Sequence, residues 1–126
     1  FILDKEFQRA QENHAPLTHS QIKVLDERGE VEKALLDQLE EKVKQCLCRE
    51  ADILLRWEKE KILAALCEAN LKGTQVIRQR IEEEIQKHPL EGQGAPVLVK
   101  VGTATYPEEV LSKAELFRLA KERLGG

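Results

Sequence analysis

The stretch "CREADILLRWEKEKIL", residues 48 to 63, gathers most of the side chains in this 126-residue sequence whose types and spacing could do chemistry. Arg49 and Asp52 stand three apart, Arg56 and Trp57 close an apolar run, and Glu58, Lys59, Glu60 and Lys61 follow as a knot of alternating charge. On residue types alone the knot reads as a solvated turn. Arg49 with Asp52 reads as an exposed ion pair, worth about 0 to 1 kcal/mol. The other reactive side chains are scattered. Cys46 and Cys48 form a Cys-x-Cys on a helical pattern, which points the thiols apart, and no nearby His or Cys completes four metal ligands. Together with Cys67 they are expected to be small buried apolar residues. His14, His19 and His88 sit beside turn-like residues with no Ser, Cys or carboxylate at motif spacing, so a nucleophilic triad has no support.

Composition bounds what these residues can serve. A chain of this length supplies one core, and 34% charged with 41% hydrophobic residues is the balance of a folded domain. A net charge of -3 leaves no basic footprint for a nucleic-acid backbone. No apolar run approaches the ~20 residues of a membrane span, so neither nucleic acid nor direct membrane insertion is expected. Three cysteines without framework spacing fit a reducing compartment, and a cytoplasmic location is expected. The chain begins at Phe1, and residues 1–126 are expected to be a single domain from a larger multidomain protein.

Four helical segments interleaved with strands must position the charged stretch. Leu3, Phe7 and Ala10 predict a leading helix from residue 1 to about 14, ended near Asn13 to Pro16. "SQIKVLDERG" alternates Ile22 and Val24 with polar neighbours and predicts a strand and turn. Val31, Leu35, Leu39, Val43 and Leu47 recur every four residues, with Ala34, Leu36 and Cys46 widening the stripe, and predict an amphipathic helix on a sheet. "ILLRW" and "KILAALC", separated by the knot, predict a β-hairpin. In the second run Ala and Leu alone suit a helix equally, so context decides. Asn70 suits the cap of the next helix, whose predicted buried stripe is Val76, Ile77, Ile81 and Ile85, with an end at His88-Pro89. Val97, Val99 and Val101 predict a last strand, and Ser112 with Glu115 a capping box for a helix carrying Leu116, Phe117, Ala120 and Leu124. The order implies an α+β fold, a largely antiparallel sheet flanked by helices.

"READILLRWEKEKI" resembles the central signature of GGDEF domains, the diguanylate cyclase family: an R-x-x-D turn, a strand ending in Arg and an aromatic, then Gly-Gly-Asp/Glu-Glu-Phe. Arg49 and Asp52 match the turn, Arg56 and Trp57 the strand end, and Glu58 to Ile62 fall on the five signature positions. "VIRQRIEEEI" is similar to the family's A-E-R-I-R helix, "VKVGTATYPEE" to its S-x-G-x-A strand followed by proline, and "EFQRA...PL" to its opening helix and strand. The resemblance spans nearly the whole chain and implies the palm-like fold of nucleotidyl cyclases in a cytoplasmic bacterial signalling protein.

The resemblance also implies what has been lost and what has stayed. In the family the paired glycines let the backbone approach a guanine nucleotide, and acidic positions with an Asp on the first strand hold two metals. Glu58 and Lys59 replace both glycines, and Lys61 puts a cation where an acid belongs. Glu60 and Asp26 are the remaining metal-ligand candidates. The Asn-Asp and Gly-His-x-x-Gly-Asp loop is replaced by "ERGEVEKALL". The expectation is a degenerate GGDEF pseudoenzyme with no catalytic residue, no metal and no cofactor. In the family the R-x-x-D turn binds product cyclic di-GMP away from the active site. An Arg can donate to guanine O6 and N7 while a carboxylate accepts from N1 and N2. Arg49, Asp52 and Arg80, which falls on the family's Arg in the helix after the hairpin, are the expected cyclic di-GMP ligands. The alternative is a pseudo-domain for protein–protein interaction or homodimerisation that binds no nucleotide, with other domains of the same protein or signalling partners as its targets. Arg56 is expected on the hairpin's exposed face, Trp57 as a packed strand end, and Glu82 to Glu84 as a solvated helix face.

Overall fold

A strand that pairs on both sides and is covered on both faces is built mainly of buried side chains, and residues 17–25 take that place at the centre of this fold. The computed structural model describes residues 2–25, 28, 33–46, 53–57, 62–87 and 98–125, with the side chains of residues 33, 46 and 57 left aside. Its elements are α1 (Ile2–Glu12), β1 (Leu17–Leu25), α2 (Lys33–Cys46), β2 (Ile53–Trp57), β3 (Ile62–Cys67), α3 (Leu71–Lys87), β4 (Leu98–Tyr106) and α4 (Lys113–Leu124). The four strands form one sheet in the order β2-β3-β1-β4, antiparallel at every pairing.

The pleat sends alternate residues of each strand to opposite faces and so divides the core in two. Ile22 and Val24 of β1, Leu63 of β3 and Val99 and Val101 of β4 pack against Leu35, Leu36, Leu39 and Val43 of α2 and Ile77, Ile81 and Ile85 of α3. On the other face Leu17, Leu66 and Ala104 meet Phe7 and Ala10 of α1 and Leu116 and Ala120 of α4. Each fully buried Leu or Ile contributes about 1.5–3 kcal/mol. The spacing of Leu35, Leu39 and Val43 therefore fixes α2 as firmly as any helix propensity does.

Gly102 sets the distance of α4 from the sheet. A Cβ at this position would fall on the Ala120 carbonyl oxygen and the Leu124 amide nitrogen, so the helix backbone lies directly on the strand. Ser112 caps α4 from extended backbone, its Oγ accepting from the Glu115 amide at 3.2 Å, and Gly125 closes it at φ 95°. Asn70 caps α3, accepting from the Gly73 amide at 2.8 Å.

The four helices and four antiparallel strands agree with the α+β expectation, and the second apolar run of the hairpin is a strand because β1 and β2 pair with it on both sides. Three local expectations are corrected. β1 starts at Leu17, ahead of the alternating stretch, because Tyr106 and Thr105 of β4 supply partners for Leu17 and Thr18. Val76 is 45% exposed, since it shares the outward stripe of Arg80 four residues on, while Ile77, Ile81 and Ile85 take the sheet side. Ala34 likewise faces out, because Leu35 and Leu36 occupy the buried stripe of α2.

Candidate functional site

Near the end of the hairpin where the chain passes from β2 to β3 stands the charged side chain of Arg56. It was expected on the exposed face and instead folds back on α2, with only 15% of its side chain accessible. Its Nη2 donates to Asp37 Oδ1 at 2.6 Å, and its Nε stands 3.4 Å from Glu40 Oε1. Burial works to lower its pKa, but the bond to Asp37 and the charge of Glu40 outweigh that and raise it. A guanidinium engaged in this way anchors the hairpin to α2 and is not a free ligand donor. The sequence signal was available: Asp37 and Glu40 lie three apart on one helix face.

At the other end of the sheet, three strand ends and the start of α3 meet through hydroxyl groups. Thr18 Oγ1 donates to the Ala69 carbonyl at 2.8 Å and lies 2.7 Å from Thr74 Oγ1 and 3.0 Å from Thr105 Oγ1. One hydroxyl has one proton, so with that proton on Ala69 Thr18 accepts from Thr105, and from Thr74 whenever the Thr74 proton is not on the Asn70 carbonyl. Thr74 Oγ1 is also 3.0 Å from the Asn70 carbonyl, and Glu108 accepts from the Leu71 amide at 2.9 Å. This network ties β1, β4 and the first turn of α3 into one rigid corner. β2 begins at this same end, with Ile53 in register with Leu66, and Asp52 precedes Ile53 in the chain.

Of the three expected ligand residues, Arg80 is on the exposed side of α3. Arg49 and Asp52 lie outside the described residues, as do Asp26 and the positions Glu58 to Lys61, so the structure does not describe whether the three converge. Among the described residues no group of three or more His, Cys, Asp and Glu stands together as a metal site. The two metals that the resemblance implies would rest on Asp26 and on positions 60 and 61, where Lys61 contributes a cation and no acceptor oxygen. That donor set does not fit a two-metal centre.

Sequence reading missed a polar pair inside the core. His19 was placed beside a turn. It sits in mid-strand, 1% exposed, under α4, with its ring stacked on Phe117 at 6.0 Å and 16°. Gln21 is buried beside it, with Nε2 at 3.2 Å from His19 Nε2. With the amide donating, that nitrogen is an acceptor, which only the neutral imidazole offers. Burial pulls the His19 pKa down to about 4, against a smaller upward pull from a backbone bond with Ala65. The signal was the alternation Leu17, His19, Gln21 itself, which places both polar residues on the face of Leu17.

Residues 3–125, which span this sheet and the helices on its two faces, match the family model described as diguanylate cyclase, GGDEF domain. This chain belongs to the GGDEF domain family. Among solved structures the GGDEF domain of FimX from Pseudomonas aeruginosa is similar at 20% identity, over 98% of this chain and 81% of that one, with a TM-score of 0.76. A diguanylate cyclase protein from Thermotoga maritima is similar at 18% identity, over 96% of this chain and 87% of that one, TM-score 0.73. The coiled coil and GGDEF domain of DgcB from Caulobacter crescentus, solved in complex with c-di-GMP, matches at 16% identity, over 97% of this chain and 69% of that one, TM-score 0.67. At these identities the likeness establishes the fold. No curated protein matches the sequence. Among the described residues of this GGDEF domain, no helix is long and apolar enough to cross a membrane.

Proposed function

We propose that this GGDEF domain is a catalytically inactive regulatory module that binds cyclic di-GMP through Arg49, Asp52 and Arg80. The observation that carries the reading is the contrast within one short stretch: "READ" keeps the R-x-x-D pattern while "EKEKI" has replaced four of five signature residues. Glu58 and Lys59 add side chains at the two positions where the family pattern has glycine, and Lys61 carries a positive charge where that pattern has an acid. Neither change touches the guanine-reading logic of an arginine and a carboxylate three residues apart. Support comes also from the exposed position of Arg80 on α3 and from the rigid corner that ties α3 to the sheet. DgcB, a relative by fold, is a protein solved with c-di-GMP bound.

Calorimetric titration of the intact domain with cyclic di-GMP tests the proposal. Saturable heat that Arg49→Ala abolishes and Arg80→Ala weakens is the expected result, and no heat at high micromolar ligand would overturn it. Incubation with GTP and Mg²⁺ is expected to give no cyclic product. The second reading, an interaction pseudo-domain, predicts an exposed apolar patch or a dimer interface with Arg49 tied into internal salt bridges. The large exposed apolar side chains among the described residues, Ile2, Val76, Leu98 and Leu111, belong to α1, α3, β4 and the segment before α4, one to each.

A further inference from the structure

Beneath α3 the two layers do not close on each other. A cavity of about 320 Å³ lies between α3 and the strands β1, β3 and β4, within the size range of small-molecule pockets. Its two ends differ in chemistry, and the pairing register explains why. The row Ile22, Leu63 and Val101 crosses the sheet at one end, followed by Val24 with Val99, and Ile81 and Ile85 cover it from α3. Two residues along each strand the row becomes Ser20, Ala65 and Thr103, and the floor turns polar.

Ser20 and Thr103 are direct cross-strand partners, and both line the cavity. Thr103 is 8% exposed. Neither hydroxyl has a hydrogen-bond partner among the described residues, in contrast to Thr18, Thr74 and Thr105 one row away, which satisfy one another. Ser20 is half-buried, and the two hydroxyls stand side by side on the floor of an apolar cavity, where each offers a donor and an acceptor to a molecule bound there. On the rim Arg78 and Glu82 pair with each other at 3.5 Å, which neutralises the entrance and offers no charge to an ionic ligand.

We propose that this cavity is a binding site for a small neutral molecule with an apolar body and one hydroxyl-type polar end. The body lies along Ile22, Ile77, Ile81 and Val101, and the polar end bonds Ser20 and Thr103. Arg80 does not line the cavity, and the proposal stands whether or not the domain binds cyclic di-GMP.

Two probes matched in shape, p-cresol and toluene, test it by NMR on the whole domain with labelled isoleucine methyl groups. Both probes shift the methyl signals of Ile22, Ile77 and Ile81 saturably at millimolar concentration, and p-cresol binds more tightly. In the double variant Ser20→Ala, Thr103→Val the p-cresol affinity falls about three- to tenfold while that of toluene holds, because one to two hydrogen bonds are lost. Ile77→Phe, which fills the cavity from α3, abolishes binding of both. If that variant does not fold, the double variant, which removes no packing volume of consequence, decides alone. The proposal is overturned if neither probe gives saturable shifts, if shifts spread evenly over both faces of the sheet, or if the double variant binds the two probes as the native domain does.

Discussion

His19 gives the sharpest quantitative consequence of the fold. The side chain is neutral in the folded domain, buried under α4 against Phe117 with Gln21 donating to it, and its pKa is lowered from 6.5 to about 4. In the unfolded chain the imidazole titrates at its ordinary value, so between pH 6.5 and 4 the unfolded state binds the extra proton. Stability from this group is therefore fully present above pH 6.5 and is lost as pH falls towards 4. At about 1.4 kcal/mol per pH unit, and allowing for half-protonation of the folded form at pH 4, the loss between pH 7 and pH 4 is about 3 kcal/mol. That is a large share of the roughly 5–15 kcal/mol total stability of an ordinary domain. The assay is urea denaturation at half-unit pH steps for the native domain and for His19→Gln, which does not titrate. Carboxylates contribute to both proteins alike, including Asp4, whose pKa the hydrogen bond from Lys113 lowers. Subtracting one curve from the other isolates His19. A difference that grows by about 3 kcal/mol on acidification is expected, together with a His19 ring proton that titrates near pH 4. A difference flat to within ~0.5 kcal/mol, or a ring titration near 6.5, would refute the reasoning.

Two substitution pairs probe the scaffold that holds the site. Gly102→Ala drives a methyl group into the backbone of α4 and is expected to cost about 3 kcal/mol in thermal or urea unfolding, whereas Gly73→Ala, whose Cβ would meet the Asn70 side chain at 3.3 Å and the Ala69 Cβ at 3.5 Å but no backbone, stays within ~1 kcal/mol. Arg56→Met removes the donor that joins the hairpin to α2 and leaves Glu40, 25% exposed, without its cation, at a cost of about 1–3 kcal/mol. Asp37→Asn, on a carboxylate 59% exposed, costs under ~0.5 kcal/mol in the same assay, and equal losses for the two would contradict the anchoring role given to Arg56.

The sequence by itself determined the kinds of element, their order and the family. Periods of four in α2 and of two in the strands follow directly from helical and pleated geometry, and a cap such as Asn70 or Ser112 is a local bond between near neighbours. The departures of Glu58, Lys59 and Lys61 from the family pattern are differences of residue type and so are read from the sequence alone. Tertiary structure decided everything that depends on a partner distant in the chain. Arg56 is an anchor because α2 brings Asp37 and Glu40 to it, and Gly102 matters because α4 returns to lie on it 18 residues later. His19 is a neutral core residue because β1 is covered on both faces. The cavity under α3 could not be read from the order of residues, because Ser20, Thr103 and Ile81 come together only when the register of three strands and the height of a helix are fixed.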